Sequence, residues 1–383
     1  MVLVRADIVM KAALFLKKAT TIAVRYCAVR RQSNPMPHTS LEMQVLDYSH
    51  VQRTLLQLVA TSYAFHFTSL AMGRSYSAFA ESARRTGDFS ALPELHATSS
   101  GLKAYCTWVT KDGIETCRVA CGGHGFLSVA NFAHTLTNYM PMVTYEGENH
   151  VLMLQTARFL LKEGRAAANG ATSFPGMVSY LSADRHRARL DEGASLRDPE
   201  TLVSILAYRA ARRVRELTTG AGALGVDDAL LADQNAAIAA ARAHCELFVA
   251  STFAAGLAEA AAREEAGLTP SARSALERLC ALHALVAIEN AAAELLEDGF
   301  VSGAQVKAVR AEAGRLVAEL RPDAVPLVDA FGLSDYHLDS ALGARDGDVY
   351  RRLFDAVQTA PFNASHAPPG YEEILAPVLR SKL

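Results

Sequence analysis

Residues 145–149 read Tyr-Glu-Gly-Glu-Asn, two carboxylates flanking one glycine, and after His150 the chain runs straight into the apolar Val151-Leu152-Met153-Leu154. Carboxylates move protons when they are walled from water and aimed at a fixed point. Glu146 lies between a loop containing Pro141 and a helix whose first turn includes Asn149, so Met142 and Tyr145 can wall it while a positive helix end faces it. Burial favours the neutral acid and the helix end the carboxylate, the balance that a general base working near neutral pH requires. Gly147 removes a side chain between the acids and lets a flat ligand approach the backbone. A plain structural reading covers the same residues, with Asn149 as the helix cap and Glu148 as a first-turn acid. Spacing alone leaves both open.

Other segments carry weaker chemistry. Cys121–Phe126, "CGGHGF", puts a glycine pair where a long helix ends. Such a pair is either a C-cap or a bare backbone surface against which a cofactor or partner chain can lie, and it lacks the strand before and helix after that a dinucleotide fingerprint demands. His124 reads as a loop histidine. Arg30 and Arg31, at the end of the first helix, complement a negative helix end or grip a phosphate. The six cysteines form no CxxC pair, and Cys117 and Cys121 share a helical face without a histidine to complete a zinc set, so buried reduced thiols in a non-secretory compartment are expected and a metal site is not. Arg209, Arg212, Arg213 and Arg215 read as a wet face rather than a ligand site.

The elements that must hold these residues follow the helical period. Gln52–Arg84 carries Leu55, Leu56, Val59, Tyr63, Phe65, Leu70 and Tyr76 at spacings that make a long core helix. A second runs from Pro93 to Cys121, and a third from about Asn149 to Lys162 is apolar almost all round, which predicts burial on every side. From Glu163 to Arg197 the chain turns rich in Gly, Ala, Ser and charge and reads as a linker. Asp198-Pro199-Glu200 opens a new helix with a cap, a proline at its first position and an early acid. Helices over Asp228–Arg263 and Pro270–Leu296, the latter capped by Thr269, precede shorter ones at Gln305–Leu320, Gly347–Val357 and Tyr371–Leu379. Strand-like alternation is scarce. The fold class is all-α, two helical bundles over 1–165 and 198–383 joined by a linker over 166–197.

With 383 residues, half of them hydrophobic, the chain is long enough for real cores. A formal net charge of −2 gives no general pull toward nucleic acid or an anionic membrane. The first thirty residues are apolar, but Arg5, Asp7, Lys11, Lys17, Lys18 and Arg25 interrupt every candidate signal core, and no run reaches the uncharged length of a membrane span. That first helix starts without a polar N-cap, as if within a longer one. The chain ends in Ser381-Lys382-Leu383, the tripeptide that a peroxisomal import receptor reads.

"TIAVRYCAVRRQ", "ELHATSSGLKAYCTW", "ETCRVACGGHGF", "YEGENHVLMLQTARFLLK", "FPGMVSYLS", "DYHLDSALGARDGDVYRRLFDA" and the terminal "SKL" together resemble, in that order, the C-terminal half of peroxisomal acyl-CoA oxidases. The resemblance implies an acyl-CoA dehydrogenase-like C-terminal helical bundle followed by the extra helical domain of oxidases. It implies that Glu146 is the base that removes the α-proton of a fatty acyl-CoA, with FAD as cofactor and O2 as oxidant, giving a trans-2-enoyl-CoA and hydrogen peroxide. Gly122, Gly123 and Arg31 are then expected against the flavin nucleotide across a homodimer interface, and His150 stands where family members often carry a small residue. Family members are roughly twice as long, and nothing here resembles their N-terminal helical domain or β-domain. The expected location is the peroxisome. A non-catalytic helical chain that dimerises with a full-length oxidase is the alternative.

Overall fold

The computed structural model describes residues 1–35, 40–174, 176–182, 191, 193–262 and 268–381. Helix α1 (Val2–Val29) has Met1 as N-cap with no side-chain hydrogen bond. It buries Ile8, Val9, Ala12, Leu16, Ala19, Ile22 and Ala23 completely or nearly so, at the one-, three- and four-residue spacings of a helix lodged between neighbours. Those neighbours are α2 (Ser49–Thr86) and α3 (Leu92–Ala120). Between α1 and α2 lies an antiparallel pair, β1 (Arg31–Pro35) and β2 (Glu42–Gln44), with Arg31 opposite Gln44. These are the only strands among the described residues, so the class is all-α.

After α3 the chain turns through a 3-10 segment at Gly122–Phe126 into α4 (Phe132–Tyr139), and α5 (Asn149–Ala168) packs across α3. It is not buried on every side: Val151 is 53% exposed and Lys162 faces solvent. Nor does Asn149 cap it. Glu148 is the N-cap, accepting from the amides of His150 and Val151. The cap position goes to the residue whose oxygen can reach back to those free amides, and Asn149 turns inward instead.

The second set of helices is α6 (Pro199–Ala221), α7 (Val226–Ala232), α8 (Gln234–Ala262), α9 (Pro270–Asn290), α10 (Ala292–Glu297) and α11 (Gly303–Leu320). Asp198 and Thr269 cap α6 and α9 as their sequences predict, each accepting an amide three residues on. The single helix expected over 228–263 is instead α7 and α8, broken where Asp233 turns its oxygen to the Ala236 amide. The α8 helix has a window of mean hydropathy 1.3 and is long and apolar enough to cross a bilayer; a third of that window is buried, and the helix packs against α2, α5 and α6.

The chain then returns through α12 (Ala324–Asp329) onto α1, with α13 (Asp335–Leu338), α14 (Val349–Thr359) and α15 (Ala376–Arg380) beyond. Buried side chains form one continuous cluster that joins both sets of helices. Part of the stretch expected as a linker contributes to it: α5 runs on to Ala168, and the 3-10 segment Gly176–Leu181 sinks Val178, Tyr180 and Leu181 into the core. Residues 183–190 lie outside the described ones.

The candidate active site at the start of α5

The turn before α5 is built against local preference. Glu146 has φ +57° and Gly147 φ +113°, two successive residues in left-handed or strained conformations that a side chain normally avoids. Both carbonyls of this turn accept from buried cations. Arg5 Nε, on α1, donates to the Glu146 oxygen at 3.1 Å, and Lys103 Nζ, on α3, donates to the Gly147 oxygen at 2.8 Å.

Both cations are themselves held. Arg5 Nη1 donates to Ser100 Oγ at 2.9 Å and meets His96 Nε2 at 3.2 Å. Lys103 donates also to Asn149 Oδ1 at 2.9 Å, and the Asn149 amide nitrogen donates to Thr107 Oγ1 at 2.9 Å and toward the Ala104 carbonyl at 3.3 Å. His96, Ser100, Lys103 and Thr107 are spaced four, three and four apart, so one stripe of α3 faces the turn. Lys103 is fully buried, and burial, with Arg5 nearby, pulls its ammonium down to about 8 against the charges of Glu148 and Glu146. Burial also lowers Arg5, opposed by Glu146.

The two carboxylates separate cleanly by partner. Glu148 is occupied: besides its two amides it accepts from His150 Nδ1 at 2.8 Å, and the His150 ring sits edge-on to Trp108 at 4.9 Å. Burial raises the Glu148 carboxyl, but those hydrogen bonds outweigh it and the net shift is downward. The half-buried Glu146 carboxylate has no hydrogen bond or ion pair among the described residues.

The other sequence-derived candidates gather at the far end of α1. A cleft of about 310 Å³ is lined by Tyr26, Arg30, Gln32, Gly122, Gly123 and His124, among others. Tyr26 Oη and His124 Nδ1 lie 2.7 Å apart across it. A Cβ at Gly122 or Gly123 would meet nothing within 4 Å, whereas one at Gly125 would strike the Arg118 carbonyl. Gly125 is thus required by the fold itself, while the bare face at Gly123 faces outward. Arg31 opens β1 rather than ending α1, and its Nη1 donates to the Glu42 carbonyl at 2.7 Å. Arg30 caps α1 and reaches Tyr350 Oη on α14.

The structure does not bring these residues to Glu146. Arg5 and Tyr26, which mark the two sites, are 21 positions apart on α1, or about 30 Å at the helical rise. Ser381 follows α15 and donates to the Val378 carbonyl, while Lys382 and Leu383 lie outside the described residues. Of the expected wet arginine face, Arg209, Arg212 and Arg213 are paired, Arg209 with Glu246 and Glu294, Arg212 with Glu216 and Glu297, and Arg213 with Glu294, while Arg215 is exposed as expected. Lys103 and Arg5 were not legible as site residues, although a lone lysine inside the small-residue stretch "ATSSGLKAYC" is a signal that could have marked one of them.

Comparison with known proteins gives these geometries a family. Residues 1–161 match the family model described as acyl-CoA oxidase, C-alpha1 domain, and residues 198–380 match the one described as acyl-CoA oxidase. Rat peroxisomal acyl-coenzyme A oxidase 1 is 38% identical over 395 residues, covering all of this chain and 58% of its own length. Mouse peroxisomal acyl-coenzyme A oxidase 2 is 38% identical over 378 residues, covering 96% of this chain and 54% of its own. Among solved structures, Arabidopsis thaliana acyl-CoA oxidase 1 aligns with TM-score 0.91 at 34% identity, over all of this chain and 57% of that one. Caenorhabditis elegans acyl-CoA oxidase-1, complexed with FAD and ATP, aligns with TM-score 0.92 at 30% identity, over 100% and 57%. The chain spans a little over half the length of these relatives. With its all-α architecture and both family models matched in order, it belongs to the acyl-CoA oxidase family and corresponds to that family's C-terminal helical portion.

Proposed function

We propose that this chain carries the proton-abstracting half of a peroxisomal, FAD-dependent acyl-CoA oxidase, with Glu146 as the base. The observation that supports this most is the Glu146 carboxylate: unpartnered among the described residues, half-buried, and presented on a strained turn whose two carbonyls are tied down by Arg5 and Lys103. Glu146 would take the α-proton of a fatty acyl-CoA, turning the thioester toward its trans-2-enoyl product. Removing a carbon-bound proton requires a base held within bonding reach of that carbon, which a pinned turn provides. FAD, when bound, supplies the acceptor for the β-hydride and hands the electron pair to O2, yielding hydrogen peroxide.

The open glycine face fits a nucleotide: no side chain stands over Gly122 and Gly123, and Arg30 lies at the rim with its positive charge. A phosphate or ribose could lie against that backbone, with Arg31 close by. Because the face is about 30 Å from the Glu146 turn, it suits a second flavin, that of a partner in a homodimer, rather than the ring beside Glu146 in the same chain. The remaining flavin and thioester contacts would come from protein outside this chain, and import would use Ser381-Lys382-Leu383. The test is Glu146→Gln in the complete enzyme: turnover should be lost while flavin absorbance is kept, and substantial residual turnover would sink the assignment.

A further inference from the structure

Lys103 is a fully buried cation that, among the described residues, has no carboxylate in hydrogen-bond reach; its ammonium donates to the Gly147 carbonyl and the Asn149 side-chain oxygen. A buried ammonium hydrogen-bonded to neutral oxygens is costly to desolvate, the nearby Glu148 and Glu146 charges offset only part of that cost, and a methionine would fill much of the space with less desolvation. The ammonium is therefore accounted for by what it holds. It holds the second carbonyl of a turn in which Glu146 sits at φ +57° and Gly147 at φ +113°. Such a turn relaxes unless its surroundings over-determine it. Arg5 fixes the Glu146 carbonyl, but Arg5 is anchored one turn nearer the start of α3, through Ser100 and His96. Lys103 alone ties the turn both to α3 and, through Asn149, to the first residue of α5.

We propose that Lys103 is a positioning residue for Glu146: by donating to the Gly147 carbonyl and to Asn149 it locks the left-handed turn that aims the Glu146 carboxylate at the substrate α-carbon. This inference rests on the reading of Glu146 as the base. Lys103 touches neither substrate nor cofactor in this scheme and transfers no proton itself. Asn149 is the strut between them, since its amide nitrogen is in turn held by Thr107.

The test uses the complete, flavin-loaded oxidase carrying Lys103→Met, Lys103→Arg or Glu146→Gln, each corrected for its folded, flavin-bound fraction. Lys103→Met should lower kcat at least tenfold with KM within threefold of the parent. It should also raise the isotope effect on kcat for acyl-CoA deuterated at the α-carbon, because a misaimed base makes proton abstraction slower relative to every other step. Lys103→Arg, which keeps donors at that position, should recover part of the lost kcat. A kcat and α-deuterium effect equal to the parent's in Lys103→Met overturns the proposal. So does a fall in activity that only follows lost folding, with the isotope effect unchanged, or an arginine variant no better than methionine. Should Lys103→Met not fold, Lys103→Gln, with a neutral donor on a shorter stem, is read by the same isotope effect and the same criteria. Turnover surviving in Glu146→Gln refutes the base assignment itself, whatever the lysine variants do, and so separates that failure from this one.

Discussion

A glutamate at φ +57° is held where its own Cβ resists it, and that strain is measurable apart from any catalysis. Glycine reaches this region freely, so Glu146→Gly should leave the chain equally stable or more stable, by up to about 1 kcal/mol, while removing the carboxylate. Urea denaturation of the purified chain checks this, and a clear loss of stability would mean that the side chain is structural. The neighbouring position predicts the opposite sign. An alanine at Gly147 would have to hold φ +113° and would place its Cβ 2.5 Å from Leu152 Cδ2, so Gly147→Ala should destabilise by about 2 kcal/mol. The sequence motif contained both acids but could not rank them. What separates them in the structure is which one finds amides: Glu148 reaches those of His150 and Val151, and Glu146 is turned away by a backbone conformation that no spacing encodes.

Between elements, one buried polar joint is Arg209 on α6, which is 7% exposed and bonds Glu294 of α10 and Glu246 of α8. Burial pushes the Glu294 carboxyl up, yet the hydrogen bonds and charges of Arg209 and Arg213 overcome it and hold it at about 2. Removing the arginine leaves Glu294 with Arg213 and Glu246 with Arg242 as remaining partners, so Arg209→Ala should lose about 1.5–3 kcal/mol, whereas the exposed Arg273→Ala, an i,i+4 pair with Glu277, should lose less than about 1 kcal/mol. Equal losses in denaturant titrations would show that the buried network contributes nothing special. Periodicity identified α6 and its apolar stripe, since burial repeats every three or four residues along one segment. It misread Arg209 because its partners lie 37 and 85 residues away, and no local pattern reports a distant acid. The break between α7 and α8 escaped for a related reason: Asp233 is an ordinary helix residue by period and becomes a break through its hydrogen bond to the Ala236 amide. Caps with their own side-chain signature, Asp198 and Thr269, were legible because the whole interaction spans three residues. Lys103 was the costliest omission, as its meaning depends on α5 folding across α3.

Across the whole molecule, two buried histidines sit where the second set of helices meets the first. His244 on α8 faces Tyr180 Oη at 3.0 Å, and His283 on α9 faces Thr61 Oγ1 of α2 at 3.4 Å. Burial lowers both from 6.5 to about 4, so each stays neutral in the folded chain while its unfolded counterpart takes up a proton. The folded value lies below the unfolded one, so the stability they contribute is fully present above pH 6.5 and drains away as pH falls toward 4. Each shift is worth at most about 3 kcal/mol, which makes this junction an acid-sensitive seam of a continuous core, alongside His66 and His96, which burial also lowers. Glu294 acts in the same direction but in a lower window, from about 4.5 down to about 2, and so leaves the histidine window readable. His244→Gln with His283→Gln keeps a hydrogen-bonding group at each site and removes the titration. Urea midpoints taken between pH 7 and pH 4 should therefore fall steeply for the parent chain and much less for the double variant, the two differing by several kcal/mol in how much stability they lose. Parallel curves would mean that both rings take up protons within the folded protein, and that the seam between the two sets of helices is wetter than the packing of α2, α8 and α9 implies.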